Sequence, residues 1–365
     1  MQHRLVLSLF IGVVAFSLTA RADTVFVKGR EKGVKGDVKG EDATTVTLTV
    51  KKTAEKFAAA DVLDIHYDDL SPIALVLAGG AYKLAKDAEK DGESADPAKR
   101  KAAWTTAISK YNETLKQMKA HPNAMRNIRY RIALLTLKQA QDSKASTANA
   151  VLELQRFRTD FPNSWQINHV MPLIAQVQMD ANDFKAAAAT FQDMADMESL
   201  PAEVRTSAEI MIVQVAVRSK DMAQAQKKLA ALEVKAAGNP KFASRVKMTK
   251  AEVLVALQKP DEAMKLLQQV VKENTDKDIK ALAHNTLGEC LYNANRFNEA
   301  RWEFLFVDTI FNQDKNQHAK ALYYLWKTFQ NLNDEVRAQE CREQLLSAAF
   351  TGTEWQLKGQ KEAGK

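Results

Sequence analysis

Apolar and polar positions follow one rhythm up to about residue 70 and another beyond it. In the first stretch apolar residues alternate. Val46, Leu48 and Val50 take every second place among Thr45, Thr47 and Thr49, and period two over six residues predicts a strand with one buried and one wet face. Val25 and Val27 mark an earlier strand. Val34, Gly36 and Val38 share one face of the next, opposite Lys35, Asp37 and Lys39. Leu63, Ile65 and Tyr67 alternate with Asp64 and His66 in the last. Turns are expected at Gly29-Arg30-Glu31 and Gly40-Glu41-Asp42, where glycine and acids permit tight bends. Residues 23–70 therefore read as a β module of four or five short strands. A module this small must curl on itself or lean on a neighbour to hide its edges.

From Ser71 the rhythm becomes helix, short turn, helix, punctuated by His121-Pro122, Phe161-Pro162-Asn163, Asn239-Pro240, Lys259-Pro260-Asp261 and Asn295-Arg296. Ala150, Ala187, Ala225, Ala263, Ala300 and Ala338 recur at steps of 37, 38, 38, 37 and 38. Four residues after each come Leu154, Phe191, Leu229, Leu267, Phe304 and finally Arg342. Thirteen residues before each lie Leu137, Ile174, Ile212, Lys250, Leu287 and Leu325. A small residue lets paired helices approach closely, and the large one a turn later on the same face fills the space between them. An earlier copy uses Ala107 and Tyr111, with its first helix near Ala74 to Ala88 and a stretching insertion at Gly92-Glu93-Ser94. The fixed period predicts about seven stacked helical hairpins over 71–348. In the last copy, Arg342 at the apolar place suits a terminal repeat with a polar outer face, whereas Trp326 at a small place has no account in the sequence. Residues 349–365 are polar and glycine-spaced, and disorder is expected there.

The best copy, LGECLYNANRFNEARWEFLFV, places Leu287-Gly288, Leu291, Phe297, Ala300 and Phe304 in a pattern that resembles the tetratricopeptide-repeat (TPR) signature. The resemblance implies a mainly α fold, a TPR-like α-solenoid. The β module resembles the small SH3-like or Sm-like barrels that precede helical repeats in some bacterial envelope proteins. Two departures qualify it. The period exceeds the usual ~34 residues, and glycine takes the Leu-Gly place only at Gly288, while Lys250 interrupts an apolar column. Other α-solenoids, such as HEAT-like arrays, are the alternative. In the TPR family the first helix of each pair lines a peptide groove. Carried onto the two best-ordered copies, its groove offsets fall on Asn285, Glu289, Tyr292 and Asn293, then Lys320, Tyr323, Lys327 and Gln330. A protein or peptide partner is what this implies.

The first 22 residues are a separate matter. Arg4 precedes the uncharged run LVLSLFIGVVAFSL, and Ala20-Arg21-Ala22 offers a small-x-small cleavage site. Leu5 to Leu18 falls short of the ~20 residues needed to span a bilayer, so a signal peptide cleaved after Ala22 is expected. No cysteine follows the run, against a lipoprotein. A periplasmic or secreted location is the expectation. Cleavage removes Arg4 and Arg21, taking the formal charge from +7 to +5. The isoelectric point near 9.1 would raise the question of nucleic acid, but export argues against it, and acids are interspersed with the bases. Weak attraction to anionic envelope surfaces is compatible with this charge.

Little in the sequence suggests chemistry. His66, His121, His169, His284 and His318 include no i, i+4 pair, so no metal is expected, and each reads as a surface or cap residue. Glu262 and Asp334-Glu335 sit where they complement helix dipoles. The run GREKGVKGDVKG lacks a Lys-Ser/Thr ending and leads into a strand, so it is a hairpin and not a phosphate loop. Cys290 and Cys341 are expected to be buried, unpaired thiols. The sequence therefore points to an exported, non-catalytic, cofactor-free interaction scaffold in cell-envelope assembly. A self-assembling structural component and an accessory subunit of an envelope enzyme are the alternatives; the oligomeric state is open.

Overall fold

The computed structural model describes residues 22–67, 80–94, 96–117, 122–143 and 145–363. The apolar leader, the expected boundary near Leu70–Pro72 and His121 lie outside the described residues. The chain divides into two compact units, residues 1–174 with 198–201, and residues 175–197 with 202–365.

The first unit opens with five strands: β1 (Asp23–Val27), β2 (Val34–Glu41), β3 (Thr45–Val50), β4 (Thr53–Ala58) and β5 (Val62–His66). They form one sheet in the order β4-β3-β2-β1-β5, with every neighbouring pair antiparallel. Val46 and Leu48 are buried as their alternation requires. Two expectations need correction. Gly40 and Glu41 belong to β2, paired with Thr47 and Val46. The turn comes one step later and is organised by Asp42, whose Oδ1 accepts from the Thr44 and Thr45 amides at 2.7 and 2.8 Å. In β5 the core residues are Val62 and Ile65, while Leu63 is 56% exposed. A register shift between Phe26 and Val27 breaks the alternation that placed Leu63 inside.

The sheet leans on helices. These are α1 (Ala81–Asp91), α2 (Pro97–Gln117), α3 (Pro122–Asp142), α4 (Ala148–Asp160) and the start of α5 (Ile167–Asp180). Arg131 on α3 pairs with Asp64 of β5 and with Glu89 of α1, the latter at 2.9 Å. Arg126 pairs with Glu41 and donates to the Tyr67 hydroxyl at 3.2 Å. Asn127 donates to the Ile65 carbonyl at 3.0 Å, and Asn168 to the Ala43 carbonyl at 2.8 Å. His169 is therefore no surface residue: its Nε2 lies 2.7 Å from the Val62 carbonyl, its ring meets Trp165, and burial lowers its pKa. These bonds offset part of the desolvation of the polar groups in this contact, although Arg126 Nε, Asn127 Oδ1, Arg131 Nε and Asn168 Oδ1 are buried without a hydrogen-bond partner.

The second unit continues with α6 (Phe184–Asp196), α7 (Ala202–Arg218), α8 (Met222–Ala236), α9 (Pro240–Ala256) and α10 (Pro260–Glu273), then α11 (Lys277–Asn293), α12 (Phe297–Thr309), α13 (Lys315–Asn331), α14 (Glu335–Leu346) and α15 (Glu354–Ala363). The fold is mainly α, a TPR-like solenoid of paired helices with a small N-terminal antiparallel sheet. All six ladder alanines are buried, together with Leu154, Phe191, Leu229, Leu267 and Phe304 four residues on. Lys250 escapes the apolar column by pairing with Glu233 at 2.8 Å.

One backbone device repeats with the ladder. Asn182, Lys220, Gln258, Asn295 and Asn333 each stand five residues before a ladder alanine, with φ between 57° and 62°. Each ends a first helix in the left-handed conformation. The amide of the next residue then reaches back to a carbonyl five positions earlier, as Asp221 does to Ala216 at 2.9 Å and Arg296 to Leu291 at 2.8 Å. Asp183, Asp221 and Asp334 at once cap the second helix, accepting from the amides three residues on.

The C-terminal tail, expected to be disordered, is instead a 3₁₀ turn (Ala348–Phe350) followed by α15. Thr353 and Gln356 are buried, and Gln356 Nε2 donates to the Ser347 carbonyl at 2.7 Å and that of Leu345 at 3.2 Å. This helix accounts for Trp326. A Cβ on Gly359 would sit 3.7 Å from the Trp326 ring, so α15 covers the indole that would otherwise face water.

Candidate protein-binding face

Alignment on the ladder alanines shows a second column in the first helices. Eleven residues before each alanine stand Gln139, Gln176, Gln214, Glu252, Glu289 and Lys327. None is apolar, and one offset per repeat puts them on the same helix face. Within the second unit each member of the column has a polar partner. Gln214 Nε2 donates to Glu252 Oε2 at 2.8 Å. Glu289 pairs with Lys320, and Lys327 with Glu362 at 2.9 Å. Burial raises the Glu252 carboxyl; the Gln214 hydrogen bond and the Lys320 charge oppose this, and Glu289 adds to it. The family offsets used above, applied to two copies, reached Glu289 and Lys327 but missed Gln214 and Glu252. Reading the same offset down all six copies would have found them.

The eight residues expected to line a groove have different fates. Asn285 is fully buried and donates to the carbonyl and the side-chain Oε1 of Gln317, both at 2.9 Å. Tyr292 stands edge-on to Phe297 and Tyr324, with centroids 5.3 and 5.6 Å away. Tyr323 is buried and donates to Glu362 Oε1 at 2.7 Å. Lys320, besides pairing with Glu289, lies over the Trp355 ring at 5.5 Å. Asn293 and Gln330 are exposed. Tyr323, Lys320 and Lys327 are thus engaged by α15 of the same chain, through Trp355 and Glu362. The charged and aromatic character was legible; that residues of α15 engage it was not, because the tail's composition concealed a helix.

Cys290 is buried, Cys341 half-buried, and the two are not bonded to each other. Burial pushes both thiols up, to about 11 and about 12, so neither is activated for nucleophilic work. His284, expected as a surface or cap residue, instead lies within α11, 5% exposed, stacked on Phe306 and Phe311, with Nδ1 at 2.7 Å from Glu303 Oε2. His318 bonds Asp308 at 2.7 Å, and His66 pairs with Asp64 at 2.9 Å. Among the described residues no group of three or more His, Cys, Asp or Glu side chains could hold a metal ion. Nor is any described helix long and apolar enough to cross a membrane.

These features define a helical-repeat fold of the TPR kind, with a polar column on its first helices. Among solved structures, the chain is similar to a tetratricopeptide repeat protein from Parabacteroides merdae, at 10% identity and TM-score 0.48, over 78% of this chain and all of that one. It is also similar to a Rap protein complexed with competence and sporulation factor, at 13% identity and TM-score 0.46, over 79% of this chain and 80% of that one. Yeast Tom70 is a third, at 13% identity and TM-score 0.44, over 82% of this chain and 60% of that one. No protein-family model and no curated protein matches the chain.

Proposed function

We propose that this chain is an exported, non-catalytic scaffold that holds a segment of a protein partner along the first-helix column of its second unit. The observation that carries this reading is the column itself. Gln214, Glu252, Glu289 and Lys327 keep one face of successive first helices polar and half-buried, where the opposite face is spent on the apolar ladder. Hydrogen-bonding groups repeated at a helix-pair interval suit the backbone and polar side chains of an extended peptide. A role in cell-envelope assembly is part of this reading; the expected leader, Arg4 to Ala22, supports its export component. The reading of the sheet as an SH3-like or Sm-like module is supported by its strand order and by the 3₁₀ turn Ala59–Asp61 between β4 and β5.

Selection of unstructured peptides from a displayed library on the purified mature chain tests the binding reading. Glu252→Lys is expected to weaken the selected peptides at least tenfold while the circular dichroism stays unchanged. Peptides that bind the variant equally well would remove the column from the function. Intact mass of the protein recovered from an expressing bacterium tests export, with an N-terminus at Asp23 expected.

A further inference from the structure

The second helices of the same unit carry an apolar surface that the first-helix column does not explain. Trp302 and Phe306 on α12 and Ile310, which caps its C-terminus, follow one another at four-residue spacing along one side. They are 57%, 42% and 50% exposed. Large apolar side chains exposed in a row, unlike scattered single ones, mark a surface that meets something. Phe306 and Ile310 also form one wall of a cleft of about 370 Å³ whose other walls come from α10 and α11.

The cleft has a constructed floor. His284 lies at its base, almost wholly buried, sandwiched against Phe306 and Phe311 with ring centroids 5.0 and 5.4 Å away. Glu303 fixes the ring through Nδ1 at 2.7 Å. Val271 and Leu287 complete the apolar lining. At the rim stand Lys272 and Lys280, the latter with its ammonium 5.7 Å over the Phe311 ring. Neither lysine is in an ion pair among the described residues, whereas Lys247 on α9 is paired with Glu273. An apolar cavity wide enough for one large side chain, with two lysines free of ion pairs at its mouth against one lining carboxylate, Glu303, that is already bonded to His284, is complementary to an apolar group flanked by carboxylates.

We propose that this cleft is a second docking site, for an acidic partner segment that inserts one large apolar side chain between α10 and α12. Phe306, Ile310 and Phe311 hold the inserted group, His284 forms the floor, and Lys272 and Lys280 engage the flanking carboxylates. The site lies between the second helices α10 and α12, with residues of α11 as its floor and rim, and includes no member of the first-helix column.

Titration of the full mature chain with the peptide Asp-Asp-Phe-Asp-Asp, followed by calorimetry, tests this. Binding is expected, weakened at least tenfold when phenylalanine is replaced by alanine or the aspartates by lysines. Lys272→Glu with Lys280→Glu is expected to abolish it with the fold unchanged by circular dichroism. Phe306→Ala should weaken it by a similar factor, and Glu252→Lys in the other column should leave it untouched. Equal binding of the alanine or lysine peptide would overturn the proposal, as would loss of binding in Glu252→Lys alone. Self-association or pelleting with phosphatidylglycerol vesicles that Phe306→Asp abolishes would assign this face to a second copy or a membrane, and would overturn it too.

Discussion

Gly288 shows how little room the paired helices leave. A Cβ at this position would lie 2.6 Å from the Phe304 ring, which is itself stacked on Tyr324 with centroids 5.1 Å apart. The ring has nowhere to retreat. Gly288→Ala is therefore expected to destabilise the second unit by about 1–3 kcal/mol, the cost of overpacking a filled core, measured as a lower midpoint in urea. An unchanged midpoint would mean the ring moves freely. The left-handed turn residues make the opposite case. Lys220 holds φ 62°, a conformation costing a side-chain-bearing residue ~1–2 kcal/mol, against the ~0.5–1 kcal/mol of extra freedom glycine gains when unfolded. Lys220→Gly should raise stability by roughly 0.5 kcal/mol on this balance, and Lys220→Val should lower it. The alanine ladder was legible in the sequence because packing needs a small residue at every copy. The left-handed turns were not, because asparagine, lysine and glutamine carry no common signal; only their position relative to the alanines unites them.

Among the elements, α15 departs furthest from expectation. Its sequence, EWQLKGQKEA, is polar and contains a glycine, so composition argued for disorder. What orders it is specific. Trp355 packs on Tyr323 and Tyr324, Lys358 lies 4.5 Å over the Tyr323 ring, and Glu362 bonds Tyr323 and Lys327. Such side-chain matches are invisible to composition, which sees only that few residues are apolar. Burial alone would raise the Glu362 carboxyl, but hydrogen bonds from Lys327 and Tyr323, with the charges of Lys327 and Lys358, outweigh it and hold the pKa below the ordinary glutamate value. A depressed folded-state pKa contributes stability that is present above the ordinary glutamate range and lost as pH falls through the depressed value. Wild type should therefore exceed Glu362→Gln at pH 7, by about 0.5 kcal/mol once solvent screening of this partly exposed pair is allowed for. The difference should vanish on acidification below the glutamate range. A gap that persists in acid would place the stabilisation in packing and not in charge. The sheet offers the complementary case. Its strands were legible from alternation, but the docking of Arg126, Asn127 and Arg131 was not, since these lie on a helix far along the chain.

At the scale of the molecule, the chain combines a charge of +7 with bases largely matched by acids, and a ladder that fixes helix pairs without fixing a partner. The division into compact units follows contacts that no composition shift announces: it falls within α5, a continuous helix. If the first-helix column of the second unit holds a partner, positions along it contact that partner directly. Photo-crosslinking residues placed singly at Gln214 and Glu252, with one at exposed Lys227 on a second helix as control, test it in cells producing the full chain. The same partner adduct is expected from both first-helix positions and absent from Lys227. An adduct formed equally from Lys227, or from neither column position, would contradict the account.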